Sequence, residues 1–198
     1  AGKVPLHLSA AHAPDFLTLS GHKFHGPQGA GALYINERVR FEPWMLGGGQ
    51  ELGMRSGTEN IAAIFGMARA LVSYDAEQRK AVRAMRDAFE KRVLAATGAV
   101  LNGHPMNRLG NTSSLAFPGL EAQGLLILLD KEGLCGSAGA ACHSASLHPS
   151  TVLEAMGFDA AHAGSTLRFS FSRLNTMEEA LHAAEQVIQA VSILRAMT

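Results

Sequence analysis

The feature that most constrains the fold is a pair of short apolar runs joined by a segment rich in glycine and proline. The runs are DFLTLS (15–20) and GALYI (31–35), and HGPQGAG lies between them. Because Gly and Pro interrupt helices and sheet ladders, this segment predicts a turn or loop between two buried strands. The first run ends at Ser-Gly-His-Lys, so Lys23 lies at a strand end, where α/β enzymes carry reactive groups.

The rest of the chain mixes helical and strand patterns. Apolar residues recur at helical spacing from Asn60 to about Ala96, which predicts one long helix or two with a break near Ser73. Further strands are predicted at 111–119, 133–138 and 166–172, and further helices at 122–132, 149–157 and 176–197. The last helix carries a capping-box signature, Thr176 with Glu179. Together these elements predict an α/β fold with a domain boundary near residues 95–100.

Composition argues against several classes of function. Hydrophobic residues make up 47% and charged residues 17% of the chain, which is typical of a folded domain. Lys+Arg and Asp+Glu number 17 each, so no net basic charge favours nucleic acid or an anionic membrane. Two cysteines are too few for a disulfide framework and favour a reducing, cytoplasmic compartment. The first residues contain no apolar signal core, and we expect the chain to begin partway through a longer protein.

The stretch around Lys23 combines groups that suit a phosphorylated aldehyde. A desolvated lysine amine can condense with an aldehyde. The Ser20 hydroxyl and the His22 imidazole could hold a phosphate beside it. The alternative is a lysine that only reaches the surface and keeps its ammonium group in water.

A second candidate is Cys142, in the small-residue segment CGSAGAACHSASLHPS (135–150). Such a segment packs weakly, so the thiol is expected to be accessible, and His143 beside it could favour the reactive thiolate. The alternative is a cysteine that behaves as a small hydrophobic residue. That alternative fits Cys135 better, because Cys135 follows Leu134 in a predicted strand and is expected to be buried. A metal site from Cys135, Cys142, His143 and His148 is also conceivable, although the spacing is not that of a zinc knuckle or ribbon.

Two further segments stand out. The loop EPWMLGGGQELGMRSGTEN (42–60) is too glycine-rich for a helix and too long for a simple hairpin, and long ordered loops are often functional. Arg168 is a charged residue in the otherwise apolar strand TLRFSFS, which costs stability unless an anion meets the guanidinium. That anion could be a substrate carboxylate, held by the planar fork, or an internal ion-pair partner. Arg173, beside the last helix, is expected to have a structural role.

Four of these segments together resemble one family. In order they are SGHKFHGPQGAGALY, GGGQELGMRSGTEN, SAGAACHSASLHPSTVLEAMG and TLRFSFSRLNTMEEA. They resemble the carboxyl-terminal half of cysteine desulfurases of the NifS/IscS type, in the class V aminotransferase group of pyridoxal-phosphate enzymes with fold type I. The resemblance runs from Ala1 to about Arg195. It implies that residues 1–97 form the end of the large cofactor-binding domain with its connecting helix, and that residues 98–198 form a small αβ domain carrying the cysteine loop.

The resemblance also implies roles for individual residues. Lys23 would carry pyridoxal 5'-phosphate as a Schiff base and move the substrate Cα proton, and Ser20 and His22 would contact the cofactor phosphate. Thr58 would reach the phosphate across a homodimer interface. Cys142 would take sulfur from L-cysteine as a persulfide, leaving L-alanine. Arg168 would hold the substrate carboxylate, and the sulfur would pass to an iron–sulfur scaffold or another acceptor protein.

The sequence departs from the family pattern at the cysteine. The usual Ser-Ser-Gly-Ser-Ala-Cys-Thr-Ser is replaced by Ser-Ala-Gly-Ala-Ala-Cys-His-Ser at 137–144. GAACHS also resembles selenocysteine lyases, so a selenocysteine lyase is one alternative. A second alternative is another aminotransferase of the same fold, and a third is a non-catalytic binding module. The resemblance further implies that the family's contacts to the pyridine ring lie upstream of Ala1, so we expect another segment or chain to supply them.

Overall fold

The strands that the structure describes form two antiparallel sheets, one in each of two units. The structure is a computed structural model that describes residues 2–5, 8, 13–138 and 150–197. The chain divides into Ala1–Ala76 and Glu77–Thr198. The predicted boundary between 97 and 98 lies at the other end of a long helix, and the two functional domains stay a prediction.

In the first unit, strands β1 (Phe16–Ser20) and β2 (Gly31–Ile35) form a two-stranded antiparallel ribbon. Phe16 pairs with Ile35, and Ser20 pairs with Gly31. Both strands were predicted from their apolar runs, and both are confirmed. The prediction that they are buried is wrong for this chain, because side chains on both faces of the ribbon are exposed or half-buried. Sequence pattern reports which residues favour burial but not whether a covering layer lies within the same chain.

Helix α1 (Ile61–Val72) completes the first unit. The Asn60 side chain caps it by accepting a hydrogen bond from the Ala63 N–H at 3.1 Å. The chain turns at 73–75 and continues as α2 (Ala76–Thr97), so the predicted break near Ser73 is confirmed. The Ser73 hydroxyl closes α1 by donating to the Arg69 carbonyl at 2.6 Å.

In the second unit, a three-stranded sheet packs with helices around one apolar core. Its strands are β3 (Val100–Leu101), β4 (Thr112–Ala116) and β5 (Thr166–Ser170), with β4 in the centre. The main helices are α2, α3 (Ala122–Lys131) and α6 (Met177–Met197), and two short helices are α4 (Thr151–Ala155) and α5 (Ala160–Gly164). Phe89 of α2 contacts the rings of Phe169 and Phe171, with ring centroids 4.9 and 5.3 Å apart. Further fully buried core residues are Val93, Leu115, Leu125, Leu129, Leu167 and Val187.

The predicted elements of this unit are mostly confirmed, with three differences. The segment 133–138 is not a strand, because only Ser137 forms a bridge, opposite Arg168. Strand β3 and helix α5 were not predicted, since each is too short to show a period. The capping box of α6 is confirmed: the Thr176 N–H donates to Glu179 at 2.9 Å, and the Glu179 N–H donates to the Thr176 hydroxyl at 3.1 Å.

Candidate active site

Lys23 lies in a tight turn directly after β1. One turn of 3₁₀ helix, Gly21–Phe24, follows Ser20, and the Gly26 N–H closes it by donating to the Gly21 carbonyl at 2.9 Å. Phe24 is only 2% exposed and anchors the turn in the first unit, whereas Ser20, His22 and Lys23 are exposed. The apolar run therefore ends where one buried ring holds a turn whose polar side chains all remain accessible.

The turn is fixed against α1 by a close approach that depends on glycine. A Cβ placed on Gly66 would lie 2.8 Å from the Pro27 Cγ, which is closer than side chains tolerate. Any larger residue at position 66 would therefore push the Pro27 loop off the helix. This contact gives the Lys23 turn a rigid support on its downstream side.

The polar groups of the turn fit a phosphorylated aldehyde. Among the residues that the structure describes, the Lys23 ammonium has no hydrogen-bond or ion-pair partner, and Ser20 makes no capping bond to the helical turn. A hydroxyl, an imidazole and an amine therefore lie within four consecutive residues with their bonding capacity free. A phosphate accepts hydrogen bonds from the first two, and a carbonyl carbon reacts with the third.

Thr58 lies in a loop that is organised by its own side chains. The Gln50 side-chain oxygen accepts a hydrogen bond from the Gly57 N–H at 3.1 Å, and the Ser56 hydroxyl donates to the Leu46 carbonyl at 3.1 Å. Thr58 itself is exposed and has no bonding partner within the described part of the chain. The sequence reasoning missed Gln50, and its only signal was a polar side chain after three glycines. The loop is therefore ordered while Thr58 remains free to contact another molecule.

Arg168 lies in the middle of β5, in the second unit. The neighbouring side chains Leu167 and Phe169 are buried in the core, and Arg168, on the opposite face of the strand, is half-buried. No carboxylate forms an ion pair with it among the described residues. The internal ion pair that was weighed as an alternative is therefore not found in that part of the chain, and the guanidinium is available to an external anion.

The structure describes one of the two cysteines, Cys135, and not the other, Cys142. Cys142, His143 and His148 lie outside the described residues. Cys135 is described and is exposed, so the prediction that it is buried is wrong. The reason is local: helix α3 ends at Lys131, and the chain leaves the core after Gly133 instead of entering a strand. Cys135 lies on the wall of a cavity of about 380 Å³ beside α6, with Phe169 and His182.

Other kinds of site are not found in the part of the chain that the structure describes. It holds no group of three or more His, Cys, Asp or Glu side chains that could bind a metal ion. Its helices are also too short or too polar for any to cross a membrane. The metal-site alternative includes Cys142, His143 and His148, which lie outside this part, and it stays a prediction.

Comparisons with known proteins agree with this architecture. A solved structure described as a NifS-like protein superposes on 97% of the chain, with a TM-score of 0.83 and 33% sequence identity, and the chain covers 50% of it. A second NifS-like protein, from Rickettsia africae, gives a TM-score of 0.81 over 98% of the chain and is covered to 51%. The chain thus has the mixed α/β fold of fold type I pyridoxal-phosphate enzymes and includes part of the large domain.

Sequence comparison identifies the family to which the chain belongs. The model of the aminotransferase class-V family matches residues 1–182. Cysteine desulfurase 2 of Trichormus variabilis is 42% identical over 200 residues, which span all of this chain and 50% of that protein. The protein therefore belongs to the aminotransferase class-V family. It spans about half the length of the curated relatives it matches. The predicted match to their carboxyl-terminal half rests on the motifs and stays a prediction.

Proposed function

We propose that this chain is part of a cysteine desulfurase that uses pyridoxal 5'-phosphate. The observation that carries the proposal is the Lys23 amine, which has no partner among the described residues and is close in sequence to Ser20 and His22, in a chain whose relatives include proteins named cysteine desulfurase. In the complete protein, Lys23 would bear the cofactor, and Ser20 and His22 would bind its phosphate. Thr58 would contact that phosphate from the other subunit of a homodimer. The cofactor supplies an electron sink that stabilises negative charge at the substrate Cα.

The residues of this chain would divide the remaining work. Arg168 would hold the carboxylate of L-cysteine through a bidentate, charge-assisted pair. The Lys23 amine would take the proton from the substrate Cα and return a proton as the product forms. The Cys142 thiolate would attack the substrate sulfur. A sulfur–sulfur bond forms, and the electron pair of the broken carbon–sulfur bond stays on carbon, so L-cysteine gives L-alanine and a persulfide on Cys142.

The persulfide would then pass its outer sulfur to an acceptor. Transfer to a thiol or an iron–sulfur scaffold needs no further oxidant, because the sulfur is already at the sulfane level. A cytoplasmic location fits this role, since the Cys142 thiol has to be reduced at the start of each turnover and thiols are kept reduced there. Selenocysteine lyase remains a second candidate because of the GAACHS segment. Comparing alanine release from cysteine and selenocysteine separates the two.

The test of the proposal is to locate the cofactor. Borohydride reduction of the complete protein should fix pyridoxal phosphate covalently to Lys23, and peptide mapping by mass spectrometry identifies the modified residue. Lys23→Ala should abolish the fixed cofactor and lower turnover by at least about a thousandfold, because both attachment and proton transfer depend on this amine.

The matched control is Lys80→Ala. Lys80 is exposed and forms only a surface ion pair with Glu77, so its removal should change neither cofactor attachment nor turnover. Cofactor fixed to any lysine other than Lys23 would contradict the proposal. A protein that takes up no cofactor would favour the non-catalytic binding module.

A further inference from the structure

The segment 134–138 is attached to β5 at Arg168 itself. The Arg168 N–H donates to the Ser137 carbonyl at 2.8 Å, and the Ser137 N–H donates to the Arg168 carbonyl at 3.1 Å. In an antiparallel sheet, the backbone N–H and C=O of one residue point to the same neighbouring strand, so a residue that bonds to one neighbour through both groups makes no backbone hydrogen bond to the other. On its other side Arg168 is paired with Ser114 of β4. The backbone of Arg168 is therefore held mainly by Ser137.

The segment reaches Arg168 along a path fixed at both ends. At its start, Gly133 adopts a φ of +73°, the Gly133 N–H donates to the Asp130 carbonyl at 3.0 Å, and the Leu134 N–H donates to the Leu129 carbonyl at 2.9 Å. These two bonds form a Schellman motif at the end of α3. At its other end is the Ser137 bridge. Only Cys135 and Gly136 lie between Leu134 and Ser137, so little freedom remains.

Gly136 passes through a narrow gap in which a side chain would be crowded. A Cβ built on it would lie 3.2 Å from the Leu126 Cδ2 and 3.6 Å from the Phe169 Cε1. Leu126 belongs to α3, and Phe169 follows Arg168 in β5. The φ of Gly136 is not in the left-handed region, so a substitution acts by crowding and not by backbone strain. Crowding at this point would move the segment away from β5 and weaken the Ser137 bridge.

We propose that Gly136 and Ser137 are positioning residues that set the placement of the Arg168 guanidinium for a carboxylate ligand. The inference rests on the proposed function, in which Arg168 holds the carboxylate of an amino-acid substrate. Arg168 lies in a sheet with β4 on one side, and on the other side the 134–138 segment is its only neighbour among the residues that the structure describes. A bidentate pair depends on both distance and angle. A small displacement of the β5 backbone at Arg168 therefore reduces carboxylate binding before it affects the rest of the unit.

The test uses two amine ligands that differ in the carboxylate, L-cysteine and cysteamine. Each is titrated into the complete, cofactor-loaded protein in a Cys142→Ser background, so that sulfur transfer does not consume it, and binding is followed by the cofactor absorbance. The measured quantity is the cysteamine-to-cysteine ratio of Kd. Gly136→Val should lower this ratio about tenfold, since misplacement by a fraction of an ångström is costly for an oriented contact. The Kd of cysteamine should change less than about twofold, because that ligand has no carboxylate to lose.

Three further variants are measured in the same binding assay. Arg168→Ala should lower the ratio by about 10- to 100-fold, the usual range for a hydrogen bond to a charged group. Gly136→Ala, which requires a shift of only a few tenths of an ångström, should lower it about threefold and decides the matter if the valine variant does not fold. Gly164→Val is the matched control, because Gly164 lies in the same unit with open space around its Cβ position.

A second readout does not depend on ligand. Amide hydrogen exchange at Arg168 should be faster in Gly136→Val than in the wild type and unchanged in Gly164→Val, because the amide is protected by the Ser137 carbonyl. Two failures are distinguishable. If Arg168→Ala leaves the ratio unchanged, the role of Arg168 in the proposed function is wrong. If Arg168→Ala lowers the ratio and both Gly136 variants keep the wild-type value, the positioning inference alone is overturned.

Discussion

At the scale of single residues, the cationic side chains differ in whether they form an internal ion pair. Arg38 pairs with Asp15, and Arg108 pairs with Glu90, so these two cations contribute to local stability. Lys23 and Arg168 have no acidic partner within the described ranges, although both are held by well-defined backbone. A guanidinium without an internal partner can pair with an external anion, and an amine without one can react with a carbonyl group.

Among the residues that the structure describes, Glu179 is the one for which a change of pH has a clear sign. The Thr176 backbone N–H, and to a smaller extent the Asn175 side-chain amide, lower the pKa of the Glu179 carboxyl below its usual value of 4.5. Because the folded state favours the ionised carboxylate, this contribution is complete above the usual pKa and disappears as pH falls through the lowered pKa. Glu179→Ala should therefore lower Tm at pH 7 and lower it less near pH 3.

Thermal unfolding of the wild type and the variant at both pH values measures this effect. Glu178→Ala is the control, since Glu178 lies in the same first turn of α6 but not in the capping box. An equal loss of Tm at both pH values would contradict the assignment, because it would mean that the side chain acts through packing and not through its charge.

At the scale of elements, a buried carboxylate of α2, Glu90, joins that helix to Arg108 in the loop before β4 and to Ser113 in β4. Arg108 donates to both oxygens of the Glu90 carboxylate, one of them at 2.9 Å, and the Ser113 hydroxyl donates to the same carboxylate at 2.7 Å. Glu90 is 7% exposed. Removing the arginine would leave a buried carboxylate with one hydrogen-bond donor, so Arg108→Ala should reduce the free energy of unfolding by about 3–5 kcal/mol.

Urea unfolding of the complete protein, followed by a signal that comes from the second unit, measures this loss of unfolding free energy. Lys80→Ala is the control. It removes the cation of an exposed ion pair on α2, the helix that carries Glu90, and should reduce the free energy of unfolding by no more than about 1 kcal/mol. If Arg108→Ala costs as little as Lys80→Ala, then the buried pair does not hold the 105–112 segment on α2.

Much of the element order could be predicted from sequence, for identifiable physical reasons. Apolar residues at helical spacing identified α1 and α2, and Thr176 with Glu179 marked the start of α6. Strand β3 could not be predicted, because two residues have no period and their pairing depends on Leu115 and Ala116 of β4. Helix α5 carried one signal that was missed, the Asp159 side chain that accepts from the His162 N–H at 2.7 Å.

Some features of the candidate site could likewise be predicted from the sequence, and others could not. Lys23 could be selected because it follows the end of an apolar run, and Arg168 because it interrupts one, and both are properties of the local sequence. The exposure of Cys135 could not be, because it depends on the chain leaving the core after Gly133. The bond between Ser137 and Arg168 was also beyond sequence reasoning, since it joins residues 31 positions apart without any pattern.

At the scale of the whole molecule, the first unit exposes large apolar side chains that a monomer rarely leaves in water. Trp44, Leu46 and Leu52 of the loop are more than 80% exposed, and Ile61 and Phe65 of α1 are more than 65% exposed. Exposed apolar surface of this kind marks an interaction site. The resemblance predicts a homodimer in which this loop, with Thr58, faces the partner subunit.

Replacing Trp44 and Leu46 with Glu should therefore weaken the dimer of the complete protein by at least about 30-fold, the effect of losing one interface hot spot. Sedimentation at micromolar concentration measures the shift toward monomer. Ile127→Glu is the control, because it places the same charge on an exposed apolar residue of the second unit. A Trp44/Leu46 variant that remains fully dimeric would remove the loop from the interface.

The most direct test of the account is the location of the transferred sulfur. The complete protein is loaded with L-cysteine, alkylated, digested and analysed by mass spectrometry for a cysteine with one added sulfur atom. Because Cys135 is exposed, lack of access does not protect it from modification, and the experiment tests whether Cys142 is nevertheless the residue that takes the sulfur. The account predicts added sulfur on Cys142 and none on Cys135, with sulfur transfer lost in Cys142→Ser and kept in Cys135→Ser. Added sulfur on Cys135, or normal alanine release from L-cysteine by Cys142→Ser, would contradict it.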